Sequence, residues 1–333
     1  MTNLLLIGAG FSRNWGGWLA GEVFEYLLGR PEIENRPDLR KLLFRHQEHG
    51  GFEAALAELQ IERLRNQDVN HDSLISLQAA IRQMFNEMNT ALMDTLDWQL
   101  GQQYRERQID TFLIRFDAIF TLNQDVLLEQ HYTSDGVMLC IGPNRWNGLD
   151  LPGMVRHPPQ SAIHHSSWAR STWMPRTDGN IQPARGTQPI YKLHGSSNWV
   201  RADGLPLLIL GGGKEREIQL NPILDSYAKE FEKRLSIDNS RLMTIGYGFR
   251  DEHINSAIFR AVEKGLKFFV IDPRGANLAR EENKTRQPNK ILVGTELEAI
   301  FEKALVGTSS RNLREIFGGD GPEFAKVMSF FER

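Results

Sequence analysis

Leu4-Leu5-Leu6-Ile7-Gly8-Ala9-Gly10-Phe11-Ser12-Arg13 opens the chain with four consecutive apolar residues, followed at once by small ones. A short unbroken apolar run suits a strand covered on both faces. The small residues let the backbone turn sharply and approach a phosphate, and the N-terminus of a following helix attracts the negative charge. A helix is expected over Trp18 to Leu28. Arg13 stands where a third glycine would complete a dinucleotide fingerprint, and no second strand ending in an acid lies about 20 residues on. The stretch therefore argues for a nucleotide phosphate site rather than for a standard dehydrogenase.

The same punctuation recurs along the chain. Asp117 to Leu122 ends in Asn123-Gln124-Asp125, and Pro189 to Leu193 ends in His194-Gly195-Ser196. Leu242 to Ile245 ends in Gly246-Tyr247-Gly248, and Phe268 to Ile271 ends in Asp272-Pro273. A further run, Leu207 to Leu210, leads into Gly211-Gly212-Gly213-Lys214. Helical segments separate most of these runs. The alternation predicts an α/β fold with a Rossmann-like, doubly wound, mostly parallel sheet. Ligands of such sheets bind outside the carboxyl ends of the strands. Gly8, Asn123, His194, Gly246 and Asp272 are thus expected along one rim. The Gly211–Lys214 loop is no ATP site, because Glu215 stands where Ser or Thr must hold magnesium.

Residues 36–115 have a different texture. Leu74, Leu77, Ile81, Met84, Met88 and Leu92 recur at helical spacing, predicting one long helix capped by Asp72 or Ser73. An earlier helix, Phe52 to Leu64, carries Leu56, Leu59 and Leu64 on a similar stripe. This region is expected to be a helical module inserted between two strands. From Ile141 to Pro189 the pattern dissolves into an irregular segment holding Trp146, Trp168 and Trp173, either buried or serving as contact anchors. His157, His164 and His165 also lie there, at spacings that fit no standard metal-ligand pattern.

Of the 333 residues, 41% are hydrophobic and 24% charged, which is ordinary for a globular protein. A net charge of −3 supplies no global positive field, so direct nucleic-acid binding is not expected. Cys140 is the one cysteine. It excludes an internal disulfide and a multi-cysteine zinc site, and it suits a reducing cytoplasm. The opening apolar run is too short for a signal peptide, and no stretch approaches the ~20 apolar residues of a membrane span.

Taken together, the strand-end motifs resemble the sirtuin family. Gly8-Ala9-Gly10-Phe11-Ser12 is similar to its first nucleotide-binding motif, Thr121-Leu122-Asn123-Gln124-Asp125 to its Thr-x-Asn-x-Asp motif, and Leu193-His194-Gly195 to its catalytic His-Gly motif. Gly246-Tyr247-Gly248-Phe249 and Val270-Ile271-Asp272 are similar to the late strand ends that hold the adenosine half of NAD. Two departures stand out. The four-cysteine zinc ribbon of deacylase sirtuins cannot exist here, and Asn14-Trp15-Gly16-Gly17-Trp18 replaces the Gly-Ile-Pro-Asp-Phe-Arg continuation. Both features are similar to the zinc-free sirtuin-like NADases of bacterial antiphage defence, as is Gly248-Phe249-Arg250-Asp251 with Ile254-Asn255.

The resemblance implies an NAD-binding domain over residues 1–35 and 116–310, a helical insertion over 36–115 and a C-terminal helical tail over 311–333. It implies NAD as substrate, cleaved to nicotinamide and ADP-ribose, without zinc. The implied cofactor-binding residues are Gly8, Ala9, Gly10, Phe11, Ser12, Thr121, Asn123, Gly246, Tyr247 and Asp272. In the implied mechanism, Asn123 binds a ribose hydroxyl or the attacking water. His194, ordinarily titrating near ~6.5, serves as general base, and Asp125 orients the site. The pyrophosphate is expected on the backbone amides after Gly8. A zinc-free deacylase or ADP-ribosyltransferase, and a non-enzymatic NAD or ADP-ribose sensor, are the alternatives. The expected partners are further copies of the chain and a HerA-like ATPase ring.

Overall fold

The computed structural model describes residues 1–48, 50–65, 71–132, 146–157, 168–280 and 295–332. Cys140, His164 and His165 lie outside the described residues. Among those described there are strands β1 (Thr2–Ile7), β2 (Ala118–Thr121), β3 (Gly148–Asp150), β4 (Met154–His157), β5 (Thr172–Pro175), β6 (Thr187–Lys192), β7 (Gly195–Val200), β8 (Pro206–Leu208), β9 (Ser240–Ile245), β10 (Lys267–Ile271) and β11 (Leu305–Ser309).

Seven of them form one sheet in the order β11-β10-β9-β1-β2-β6-β3, and every ladder in it is parallel. β1 lies in the middle, with Leu4 opposite Ala118 on one side and Leu242 on the other. Leu4, Leu5, Leu6 and Ile7 are fully buried, which is why this strand reads as a continuous apolar run rather than an alternating one. From β1 the chain builds β2 and β6 to one side, then returns to build β9, β10 and β11 on the other. The switch point is therefore at β1, and the crevice expected for a ligand opens beyond Ile7, Thr121 and Ile245.

Between β1 and β2 the described chain is helical, over Ala20–Leu28, Pro31–Glu34, Pro37–His46, Gly51–Arg65, His71–Met93 and Ile109–Leu113. The stripe from Leu74 to Leu92 is buried, as its spacing requires. Leu56 and Leu59 are buried too, but Leu64 is 83% exposed, because it lies in the last turn, off the packed face. Asp72 and Ser73 do not cap the long helix. It already includes His71, and Ser73 Oγ instead donates to Asp38 Oδ2 at 2.6 Å.

The segment expected to be irregular holds structure of its own. β4, β5, β7 and β8 make a second sheet, in which β4–β5 and β7–β8 are antiparallel and β5–β7 is parallel. The run at Leu207 thus belongs to this smaller sheet, not to the parallel one. Trp168 and Trp173 are buried against each other, with ring centroids 5.1 Å apart. Among the described residues no helix is long and apolar enough to cross a membrane.

The turn after β1 meets the turn after β9 backbone to backbone. A Cβ on Gly246 would sit 2.3 Å from the carbonyl carbon of Gly10, and its φ of +61° is in the left-handed region. Gly246→Ala is therefore expected to combine strain with overlap and to destabilise by at least about 3 kcal/mol. Gly16→Ala is the control: φ is +90° with nothing within 4 Å, so strain alone remains, about 1 kcal/mol. Denaturant unfolding of both variants checks this, and equal losses would show that the close approach contributes nothing.

Candidate active site

Parallel register brings the central residues together. Thr121 pairs with Lys192 at the ends of β2 and β6, and Leu193 N donates to Thr121 O at 2.9 Å. Asn123 and His194 each lie two residues beyond that pair, on neighbouring chain segments of one rim. The strand ends at Gly8, Gly246 and Asp272 lie along the same rim, because β1, β9 and β10 run parallel and adjacent.

Asn123, Ser12 and Asp125 form one hydrogen-bonded chain. Asn123 Nδ2 donates to Ser12 Oγ at 2.9 Å, and Ser12 Oγ donates to Asp125 Oδ2 at 2.7 Å. Leu127 N donates to Asp125 Oδ1 at 3.0 Å, so both carboxylate oxygens have partners within the protein. Asp125 is buried and reaches the Asn123 amide only through Ser12. Thr121 is a turn former, its Oγ1 accepting from Asn123 N at 3.0 Å. Beneath this loop lies a buried ion pair. Lys192 Nζ donates to Glu129 Oε1 at 2.6 Å and to the carbonyl of Asp125 at 2.5 Å.

His194 stands where the chain passes from the parallel sheet to the smaller one, between β6 and β7. The passage requires Gly195, with φ of +74° and a Cβ position 2.1 Å from Leu207 O. Ile209 N donates to His194 O at 2.9 Å and fixes the backbone there. The imidazole is only 3% exposed, and its Nε2 lies 3.1 Å from Nε2 of His253. Burial pushes His194 down from its usual 6.5 to about 3, against the opposing pull of Asp251. It is thus a much weaker base than an exposed histidine, which corrects the expectation of a group titrating near neutrality.

This shift predicts acid lability. His194 is neutral when folded but takes up a proton below 6.5 once unfolded. Its contribution is complete above pH 6.5 and is lost as pH falls from 6.5 towards about 3. The loss is on the order of a few kcal/mol. Thermal midpoints measured from pH 7.5 to 4.5 are expected to fall less steeply in His194→Gln than in the wild type.

Several residues expected to touch the dinucleotide are engaged elsewhere. The amides of Gly8, Gly10 and Phe11 donate to the carbonyls of Ile245, Gly246 and Gly8, at 3.0, 3.1 and 2.9 Å. Gly8 and Gly10 also pack closely against the backbone of Gly246. Ala9 is exposed at this turn, whereas the Phe11 ring is buried against Trp15. Tyr247 is buried, and its hydroxyl donates to Asn255 Oδ1 at 2.7 Å. Asp272 is buried and paired with Arg274, whose Nε donates at 2.8 Å.

Asp251 and Lys214, read in the sequence only as parts of other motifs, and His253, which was not singled out, lie against His194. Lys214 Nζ lies 2.9 Å from Asp251 Oδ1 and 2.7 Å from Glu53 Oε2. Asp251 and His253 follow the β9 end as Asp-x-His, a spacing that could have drawn notice. His194, Asp251 and His253 bring ligand-type atoms within 4.8 Å of one another, but the Lys214 ammonium already supplies positive charge at that carboxylate. A cavity of about 1480 Å³, lined by Arg36, Gln60, Arg63, His71 and Arg216 among others, shares no residue with this cluster.

Residues 117–293 match the model of the SIR2-like domain. No curated protein matches the chain. Among solved structures it is similar to a Sir2 enzyme described for its mechanism and regulation, at 13% identity, 99% coverage of this chain, 93% of the other and a TM-score of 0.38. It is also similar to a sirtuin described for substrate affinity, at 11% identity, with 96% and 92% covered and a TM-score of 0.39. A third is a Sir2 with a peptide and NAD+, at 12% identity, with 95% and 90% covered and a TM-score of 0.32.

Proposed function

The chain belongs to the SIR2-like domain family, and on that premise we propose that it hydrolyses NAD to nicotinamide and ADP-ribose, with Asn123 and His194 at the reacting ribose. The observation that carries this reading is the register that makes them neighbours, joined to the chain that fixes the Asn123 amide through Ser12 and Asp125.

Nicotinamide leaves as a neutral group, so the anomeric carbon gains oxocarbenium character as its bond to nitrogen lengthens. The protein's task is to hold the ribose and one water and to tolerate the positive charge. Asn123 offers an uncharged amide, oriented by Ser12, to a ribose hydroxyl or the water. His194 is neutral at physiological pH and accepts a hydrogen bond from the same groups. A weak base suffices, because the leaving group needs no protonation and water attacks a carbon already electron-poor. Incubating the purified chain with NAD and measuring nicotinamide release tests this, and release that required an acetylated peptide would favour deacylation instead.

An uncontrolled NADase would kill its own cell. We place this activity in antiphage defence by NAD depletion, restrained by assembly into a homo-oligomer, with an ATPase ring as candidate partner. Phe44, Ile61, Leu64, Ile75 and Leu96 are exposed apolar residues between β1 and β2, and support that region as the contact surface. Light scattering on the purified chain tests the oligomer.

A further inference from the structure

We infer that His253 carries away the proton that His194 removes during NAD cleavage, acting through His194 and not on the substrate; this rests on the NAD-hydrolase reading. The two Nε2 atoms are 3.1 Å apart, with ring centroids 5.2 Å apart and planes tilted by 40°. A contact between two imidazole nitrogens is a hydrogen bond only if one ring donates and the other accepts. The pair therefore fixes opposite tautomers at Nε2. With the proton on His194 Nε2, the lone pair lies on Nδ1, the atom assigned to the ribose and water.

The surroundings give this contact a direction. His194 is only 3% exposed, whereas His253 is half-buried and so the more accessible of the two. Asp251 faces both imidazoles and favours their charged forms, opposing the effect of burial on each. Asp251 is the N-cap residue of the helix Glu252–Glu263, yet its side chain makes no capping hydrogen bond. It is held instead by Lys214, and Lys214 by Glu53. The charged groups facing His253 are thus Asp251, Lys214 and Glu215, besides its partner His194.

The proton balance closes. A water O–H bond breaks and the oxygen bonds C1′ of the ribose. The C1′–N bond breaks, and its electron pair neutralises the pyridinium nitrogen. The released proton goes to His194 Nδ1 while the proton on His194 Nε2 moves to His253 Nε2. The His253 imidazolium, facing the Asp251 carboxylate, then loses one proton to solvent. The net reaction turns NAD and water into nicotinamide, ADP-ribose and one proton. Burial lowers both imidazoles, so neither keeps the proton near neutrality and it passes on to solvent.

The test is NAD turnover by the full chain, in the wild type, His253→Gln and His253→Ala, across pH 5.5 to 8.5. Gln preserves a hydrogen-bonding group beside His194 but cannot relay a proton. His253→Gln is expected to lower kcat by about 100-fold with KM changed less than about threefold, and to lose the acid limb of the pH profile. Added imidazole is expected to restore His253→Ala, because the position is only half-buried. Circular dichroism melts establish that both variants fold. Wild-type kcat and pH profile in His253→Gln, or no imidazole rescue in a folded His253→Ala, would overturn the relay while leaving the hydrolase reading intact. Absence of turnover by the wild type would remove both.

Discussion

Replacing Asn123 by alanine is expected to lower kcat for NAD cleavage by at least about 100-fold while leaving the thermal midpoint within about 3 °C of the wild type. The two readouts separate because Asn123 is only half-buried and its side chain makes one hydrogen bond to Ser12. Losing one such bond costs about 1 kcal/mol of stability. The catalytic loss is larger, because an oriented dipole in a water-poor site counts for more in the transition state than in the ground state. Asn123→Asp sharpens the test. It keeps the shape but lacks the Nδ2 donor, and it sets a carboxylate beside Ser12, whose hydroxyl already donates to Asp125. Ser12→Ala is expected to lower kcat by about tenfold, since it leaves Asn123 in place but unfixed. His194→Ala is expected to match the loss in Asn123→Ala, and the double variant to be no worse than either, as for residues acting in one unit. Full turnover by Asn123→Ala would remove the amide from the mechanism and the neighbouring-pair argument with it.

The rim of the sheet was legible because the central strands are short, mostly apolar runs that end abruptly in small or polar residues. The parallel register then follows from burial on both faces. The smaller sheet was not legible. Its strands span only three to six residues, and β4 and β5 are too short to display alternation. Burial was equally hidden. The motifs around Phe11, Tyr247 and Asp272 give no sign that Trp15, Asn255 and Arg274 are their partners within the protein. His253 escaped notice because its partner lies 59 residues away in the chain, and only the return of β9 beside β1 brings the two imidazoles together.

Lys192→Met is expected to destabilise the protein by about 3–5 kcal/mol and also to lower NAD turnover, whereas Lys192→Met combined with Glu129→Leu restores stability but not turnover. Both side chains are 2% exposed, so neither charge has water to fall back on. Glu129 Oε2 is buried without a hydrogen-bond partner, which leaves Lys192 as the main compensation for that carboxylate. Burial already raises the Glu129 carboxyl, and the Lys192 charge opposes the rise. Removing the lysine alone leaves a buried acid that must protonate or draw in water. Removing both replaces two desolvated charges by apolar groups of similar volume, which is often neutral or stabilising. Catalysis follows a different path. Lys192 Nζ also donates to the Asp125 carbonyl at 2.5 Å, and Asp125 fixes Ser12 and hence Asn123. An apolar pair fills the space but cannot make that bond, so the loop carrying Asn123 loosens in a well-folded protein. Denaturant unfolding and NAD kinetics on the two singles and the double check both halves. Additive stability losses would mean that the pair is not coupled. Wild-type turnover in the stable double would mean that the ion pair has no part in holding the catalytic loop.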